Sequence, residues 1–104
     1  MENVTKLKLE KLKKTTEEQL DKDGDNLFNW FFVVTNKKLS ESFIEKHLTK
    51  LKLHLVLEYQ VVSETFIAKH IDKLDDELWE IIFNCQELSE EFKEKHGKKK
   101  NENN

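Results

Sequence analysis

Four histidines, one cysteine and a nonapeptide written three times are the residues of this 104-residue chain that have chemistry to offer. The nonapeptides are LSESFIEKH at 39–47, VSETFIAKH at 62–70 and LSEEFKEKH at 88–96, each closing on a histidine. Imidazole is a ready zinc ligand, so His47, His54, His70 and His96 raise the question of a metal first. A zinc site needs about four ligands converging on one point. Histidines one repeat apart are instead directed into successive layers, and an intervening turn separates His47 from His54. The pattern predicts seam histidines, each with a ring nitrogen satisfied by a neighbouring backbone group, and no metal or other cofactor. Cys85 sits in the apolar stretch IIFNCQ, which predicts an interior thiol acting as a small hydrophobe. A single cysteine cannot form an internal disulfide, and it fits a reducing compartment.

Catalysis finds no foothold in the motifs. The chain has no Gly-rich phosphate cradle, GxSxG elbow or HExxH pair, so the expectation is a protein that is not an enzyme. Nucleic-acid association is an alternative. Lys6, Lys8, Lys11, Lys13 and Lys14, with the tail GKKKNENN, offer phosphate contacts. All 18 basic residues are lysine, however, and arginine supplies the bidentate fork that reads guanine. Charge is also segregated: +3 over residues 1–14 and +2 over 98–104, against a total of −3, leave −8 for residues 15–97. That acidic body repels a phosphate backbone.

The elements that position these groups follow from composition and period. Proline is absent and glycine occurs only at 24 and 97, so a chain rich in Leu, Lys and Glu is free to be almost wholly helical. Thr16, Ser40, Ser63 and Ser89 recur at spacings of 24, 23 and 26, marking four copies of one unit. Each hydroxyl is followed directly by glutamate, which predicts an N-cap and an acidic first turn; Thr16 with Gln19 fits a capping box. At about 100° per residue, Phe43, Ile44, His47, Leu48 and Leu51 form one apolar arc, which Phe66, Ile67, His70, Ile71 and Leu74 reproduce. A turn is expected at Asp23, Gly24, Asp25 and Asn26, and another at Asp75–Glu77 to absorb the extra length of the third unit. The second half of each unit, LFNWFFVVTN, LHLVLEYQ and LWEIIFNCQ, reads as a helix apolar nearly all round, with WFFVV as a buried strand the alternative.

The expected fold is all-α: a small helical-repeat, α-solenoid-like stack of short helix pairs with polar terminal units. One domain spans 1–96, with an N-terminal basic helix before the units near 16, 40, 63 and 89, and 97–104 form a flexible basic tail. Lys93 and Gly97 in the last copy, and Gln19 and Asp23 in the first, replace apolar or aromatic positions where a finite stack must end. The longest apolar run, Trp30–Val34, is five residues, far short of the ~20 that a membrane span needs. The N-terminus MENVTKLKLEKLKK has no secretory h-region, so a cytoplasmic location is expected.

Leu39–His47, Val62–Leu74 and Leu88–His96, with Tyr59 and Gln60, resemble the short helical repeats with consensus near LSEEFIEKHxDKLDWxxISxYQ found in tandem arrays in proteins of bacteriophages and large DNA viruses. The likeness covers about residues 39–96 well and 16–38 loosely. It departs at the DW step, where this chain has KL and then DDELW. The resemblance implies a helical repeat and a viral origin, and it carries no activity with it. The function expected is a non-enzymatic protein–protein interaction module, in its viral version an inhibitor or modulator of a host defence or replication protein. Glu41, Glu45, Glu64, Asp72, Asp75 and Asp76 are the candidate partner-binding acids. A structural, self-associating role is a further alternative, with Trp30–Val34 as a monomer–homodimer face.

Overall fold

The computed structural model describes residues 2–101, and the side chains of 5–97. The chain is all-helical and elongated, about 48 × 28 × 20 Å. Helix α1 (Glu2–Lys14) carries Lys11, Lys13 and Lys14 in its last turn, where cations complement the helix dipole. It is followed by α2 (Glu17–Leu27) and α3 (Trp30–Asn36) in the first unit, then α4 (Glu41–Lys46), α5 (Leu48–Leu51) and α6 (Leu53–Tyr59) in the second. The third unit comprises α7 (Glu64–Lys69), a 3-10 turn at Ile71–Lys73 and α8 (Asp76–Cys85), and α9 (Glu90–Asn101) begins the fourth. The stretch WFFVV is helical, which removes the strand alternative.

All four hydroxyls cap as their position predicts. Thr16 and Gln19 close a reciprocal capping box, and Ser40, Ser63 and Ser89 accept from the amides of Phe43, Phe66 and Phe92. The arc through Phe43 and Leu51 is not one helix, however. The backbone breaks at the seventh residue after each of the first three caps, with φ, ψ of −141°, 18° at Asp23, −115°, 23° at His47 and −106°, 20° at His70. These values lie near the sparsely populated bridge region. In α9 the same aromatic–histidine pair, Phe92–His96, packs at 4.4 Å inside an unbroken helix, so the pair does not cause the kink. The kink goes with a second helix to follow.

The expected turn at Asp23–Asn26 therefore lies inside α2. The chain turns later, and Asn29 caps α3 by accepting from the amide of Phe31. Nor do Asp75–Glu77 form a loop. Asp75 caps α8, and the added residues extend that helix to ten residues where α3 and α6 have seven. Without such an insertion, unit two reaches α6 through Lys52, whose φ of 73° is costly for a residue with a Cβ. Where a flexible tail is expected from 97, α9 continues through Asn101; residues 102–104 lie outside the described residues.

The second helices form the spine. α3 packs on α6, and α6 on α8. Leu20, Val33, Val34, Ile44, Leu51, Val56, Leu57, Phe66, Ile67 and Ile82 are buried in one core with Leu12 of α1. Gly24 is required by packing: a Cβ there would come within 2.7 Å of the Trp30 ring. That ring cannot easily yield, because its Nε1 donates to Asp25 and its face stacks on His47.

Candidate interaction surface

The nonapeptide's polar groups lie at the joints between units. Glu17 accepts from both the amide and the hydroxyl of Ser40, each at 2.7 Å. Glu41 accepts from the same two groups of Ser63, at 2.6 and 3.0 Å, and Glu64 from those of Ser89. Each glutamate thus serves its own helix dipole and also fixes the start of the next unit. One turn further along, Asp21 meets His47 Nε2 at 2.8 Å and Lys46 at 2.9 Å. Glu45 meets His70 Nε2 at 2.8 Å and Lys69 at 3.3 Å.

His47, His70 and His96 are seam residues, and the polar partner of His47 and His70 is a carboxylate and not the backbone group expected from the sequence; His54 is exposed at the start of α6. His47 stacks on Trp30 at 5.4 Å and meets Phe43 at a tilt at 4.5 Å, while His70 packs on Phe66 at 4.7 Å. His96 repeats the arrangement on Trp79, at 5.0 Å. These pairings shift the acids. Hydrogen bonds from Lys46 and then His47 hold Asp21 below the ordinary aspartate value. Asp25 is lowered by Trp30 and then Lys50. Burial pushes Glu45 up, but His70 and Lys69 together outweigh it and leave the group lowered.

A second set of staples went unread in the sequence. Gln60 is buried; its Oε1 accepts from the amide of Leu39, and its Nε2 donates to the carbonyls of Val34 and Lys37. Gln86 does the same one unit later, accepting from Val62 and donating to Leu57 and Gln60. By position these glutamines match Lys37 and not Asn36, since all three are the C-caps of their helices. Lys37 takes the equivalent role by donating to the Leu12 carbonyl of α1. The available signal was a glutamine three residues before Ser63 and again before Ser89.

Of the six acids nominated for a partner, the structure divides three from three. Glu41, Glu45 and Glu64 are half-buried at the seams and occupied there. Asp72, Asp75 and Asp76 are exposed together around the start of α8, with Asp75 also accepting from the amide of Leu78. Of the three, Asp75 lines a groove between the starts of α6 and α8, walled by Leu53, Leu78 and Ile81 and rimmed by Lys52, His54, Lys73, Asp75 and Glu77. The lysines Lys6, Lys8, Lys11, Lys13 and Lys14 are all exposed, yet they spread over roughly 220° of α1 at about 100° per residue. They do not share one face.

Two other expectations change. Cys85 is exposed and not interior, lying in the last turn of α8 at the edge of the buried stripe that Trp79 and Ile82 form. Trp30–Val34 is largely covered: Val33 and Val34 are buried, Trp30 and Phe32 half-buried, and Phe31 is left 57% exposed, so little of the proposed dimer face remains. Among the described residues, no three His, Cys, Asp or Glu side chains come together as a metal-holding group, and no helix is long and apolar enough to cross a membrane. No protein-family model, curated protein or solved structure was found to match this chain.

Proposed function

We propose that this chain is a non-enzymatic protein-interaction module that receives a segment of a partner protein in the groove between α6 and α8. The observation that carries the reading is the division of the polar groups. The Ser, Glu, His and Gln side chains that look chemical are engaged in joining units, whereas the groove by Asp72–Glu77 combines an apolar wall with charges of both signs on its rim. Such a lining suits an amphipathic peptide: apolar side chains gain from burial, and the rim charges set register and exclude wrong partners. With the resemblance to viral repeats, the partner proposed is a host protein, such as a defence or replication factor, whose activity the module modulates or inhibits. The test is capture from host lysate by the immobilised chain. A single stoichiometric protein, lost on Lys73→Glu with Glu77→Lys, is the expected result; capture indifferent to both changes would remove the groove.

A nucleic-acid role rests on the exposed lysines of α1 with the lysines of the tail GKKKNENN. Retention of short duplexes that weakens steeply with salt and is lost in a Lys8→Ala, Lys11→Ala chain would support it.

A further inference from the structure

We propose that the exposed face of α9, through Glu90 and Glu94, docks a helix of another protein that starts on a Ser or Thr cap and carries a histidine seven residues later. This rests on the interaction-module reading and names the chemistry of one partner segment. The seams supply the template. At both seams that use two acids, the first accepts from the amide and hydroxyl of the next cap, as Glu17 does from Ser40 and Glu41 from Ser63. The second, four residues on, holds the histidine seven residues after that cap, as Asp21 holds His47 and Glu45 holds His70. Glu90 and Glu94 stand at the same two positions after Ser89. α9 starts as α4 and α7 do, with Ser89 capping the amide of Phe92 and tied back to Glu64, so its acids stand at the same positions relative to the cap. Both are exposed, and Glu90 meets Lys93 of its own helix at 3.8 Å.

The opposite end of the stack is closed. The Thr16 amide donates to Gln19, which takes the place of a preceding unit's glutamate, and Asp23 stands where a histidine would be. A second copy of this chain therefore does not fit. Its Ser40, Ser63 and Ser89 already hold their own glutamates, and its Asp23 would meet Glu94 with like charge. Lys93 stands where Ile44 and Ile67 are buried, so the docked helix has less apolar contact than an internal unit has. Binding is accordingly weak and salt-sensitive, carried by the two carboxylates.

The probe is an N-acetylated peptide of residues 62–74, with positions 65 and 68 crosslinked to hold the helix, titrated into the isotope-labelled full chain and followed by NMR. Saturable shifts confined to α9, at least tenfold weaker for an E90Q/E94Q chain and for an S63A/H70A peptide, are the expected result. No shift up to about 1 mM peptide, shifts elsewhere, or binding indifferent to E90Q/E94Q would overturn the proposal, as would self-association of the free chain that E90Q/E94Q abolishes. Lysate capture through the groove that persists in E90Q/E94Q, with no peptide binding, would sink this docking face and leave the module reading standing. Peptide binding without lysate capture would do the reverse.

Discussion

The seam between the second and third units and the seam between the third unit and α9 differ in instructive ways. The inner seam has three devices: Glu41 on Ser63, Glu45 on His70, and Gln86 reaching from α8 to the end of α6. The outer seam keeps Glu64 on Ser89 and packs His96 on Trp79, but Ala68 stands at the position of Glu45. The glutamate–serine clamp recurs at all three seams, so it is the minimum that aligns one unit on the next. The glutamine staple, and the pairing of a histidine with the acid four residues past the clamp glutamate, accompany it where a full helix pair is stacked on each side.

The largest expected break in that inner seam is Gln86→Ala. It strands the amide of Val62 and the carbonyls of Leu57 and Gln60 at a buried position, and each unpaired buried group costs about 1–3 kcal/mol. Partial relaxation should limit the loss to about 2–4 kcal/mol by urea unfolding. A loss under about 0.5 kcal/mol would mean that water replaces the amide and that the staple does not hold the seam. Next is Gly24→Ala in the first unit, where the new methyl meets the Trp30 ring. Displacing a ring held by Asp25, His47 and Lys50 should cost about 1–3 kcal/mol and change tryptophan fluorescence.

Helix content and caps were legible because they are local. A hydroxyl followed by glutamate before an apolar run states its own N-cap, and Thr16 with Gln19 states a capping box, whatever the rest of the chain does. The seam bonds were not legible in the same way. Whether Glu41 faces water or Ser63 depends on how two units are set against each other, and sequence period places both on the same outward-looking register. Gln60 was hidden for a related reason: a lone glutamine at a helix end reads as surface until three backbone groups of the preceding unit are seen to converge on it. Cys85 was misplaced by its apolar neighbours, which are buried on one side of α8 only. The kinks at Asp23, His47 and His70 were invisible because three different continuations, Gly24, Leu48 and Ile71, leave the same backbone break.

Smaller effects separate the common clamp from the added pair. Glu41→Ala at the inner seam and Glu64→Ala at the outer one remove the same two bonds, and each should cost about 1 kcal/mol, since serine hydroxyl and amide can turn to water. Equal losses would mark the clamp as independent of the neighbouring devices. A clearly larger loss for Glu41 would show that it cooperates with Glu45 and His70, which a double-mutant cycle with Glu45→Gln would quantify.

The smallest effect is read through pH. Asp21, Asp25 and Glu45 are held below their ordinary values in the folded chain, so at neutral pH each is ionised and its bonds to Lys46, His47, Trp30, Lys50, Lys69 and His70 are fully formed. A carboxylate lowered by folding contributes stability above its unfolded value and loses it as pH falls through the folded one. Unfolding midpoints should therefore stay level on these groups' account from pH 7 to about 5 and drop below about 4.5, where the unfolded carboxylates begin to take up protons first. Glu45→Gln should lower the midpoint at pH 7 and flatten the acid drop, because the amide still accepts from His70 but no longer titrates. Because Asp21 is the more exposed of the two histidine-bound acids, Asp21→Asn should flatten that drop less than Glu45→Gln does. The reverse order would place the stronger histidine–acid pair at the Trp30 seam, with the indole stack and not burial deciding its strength.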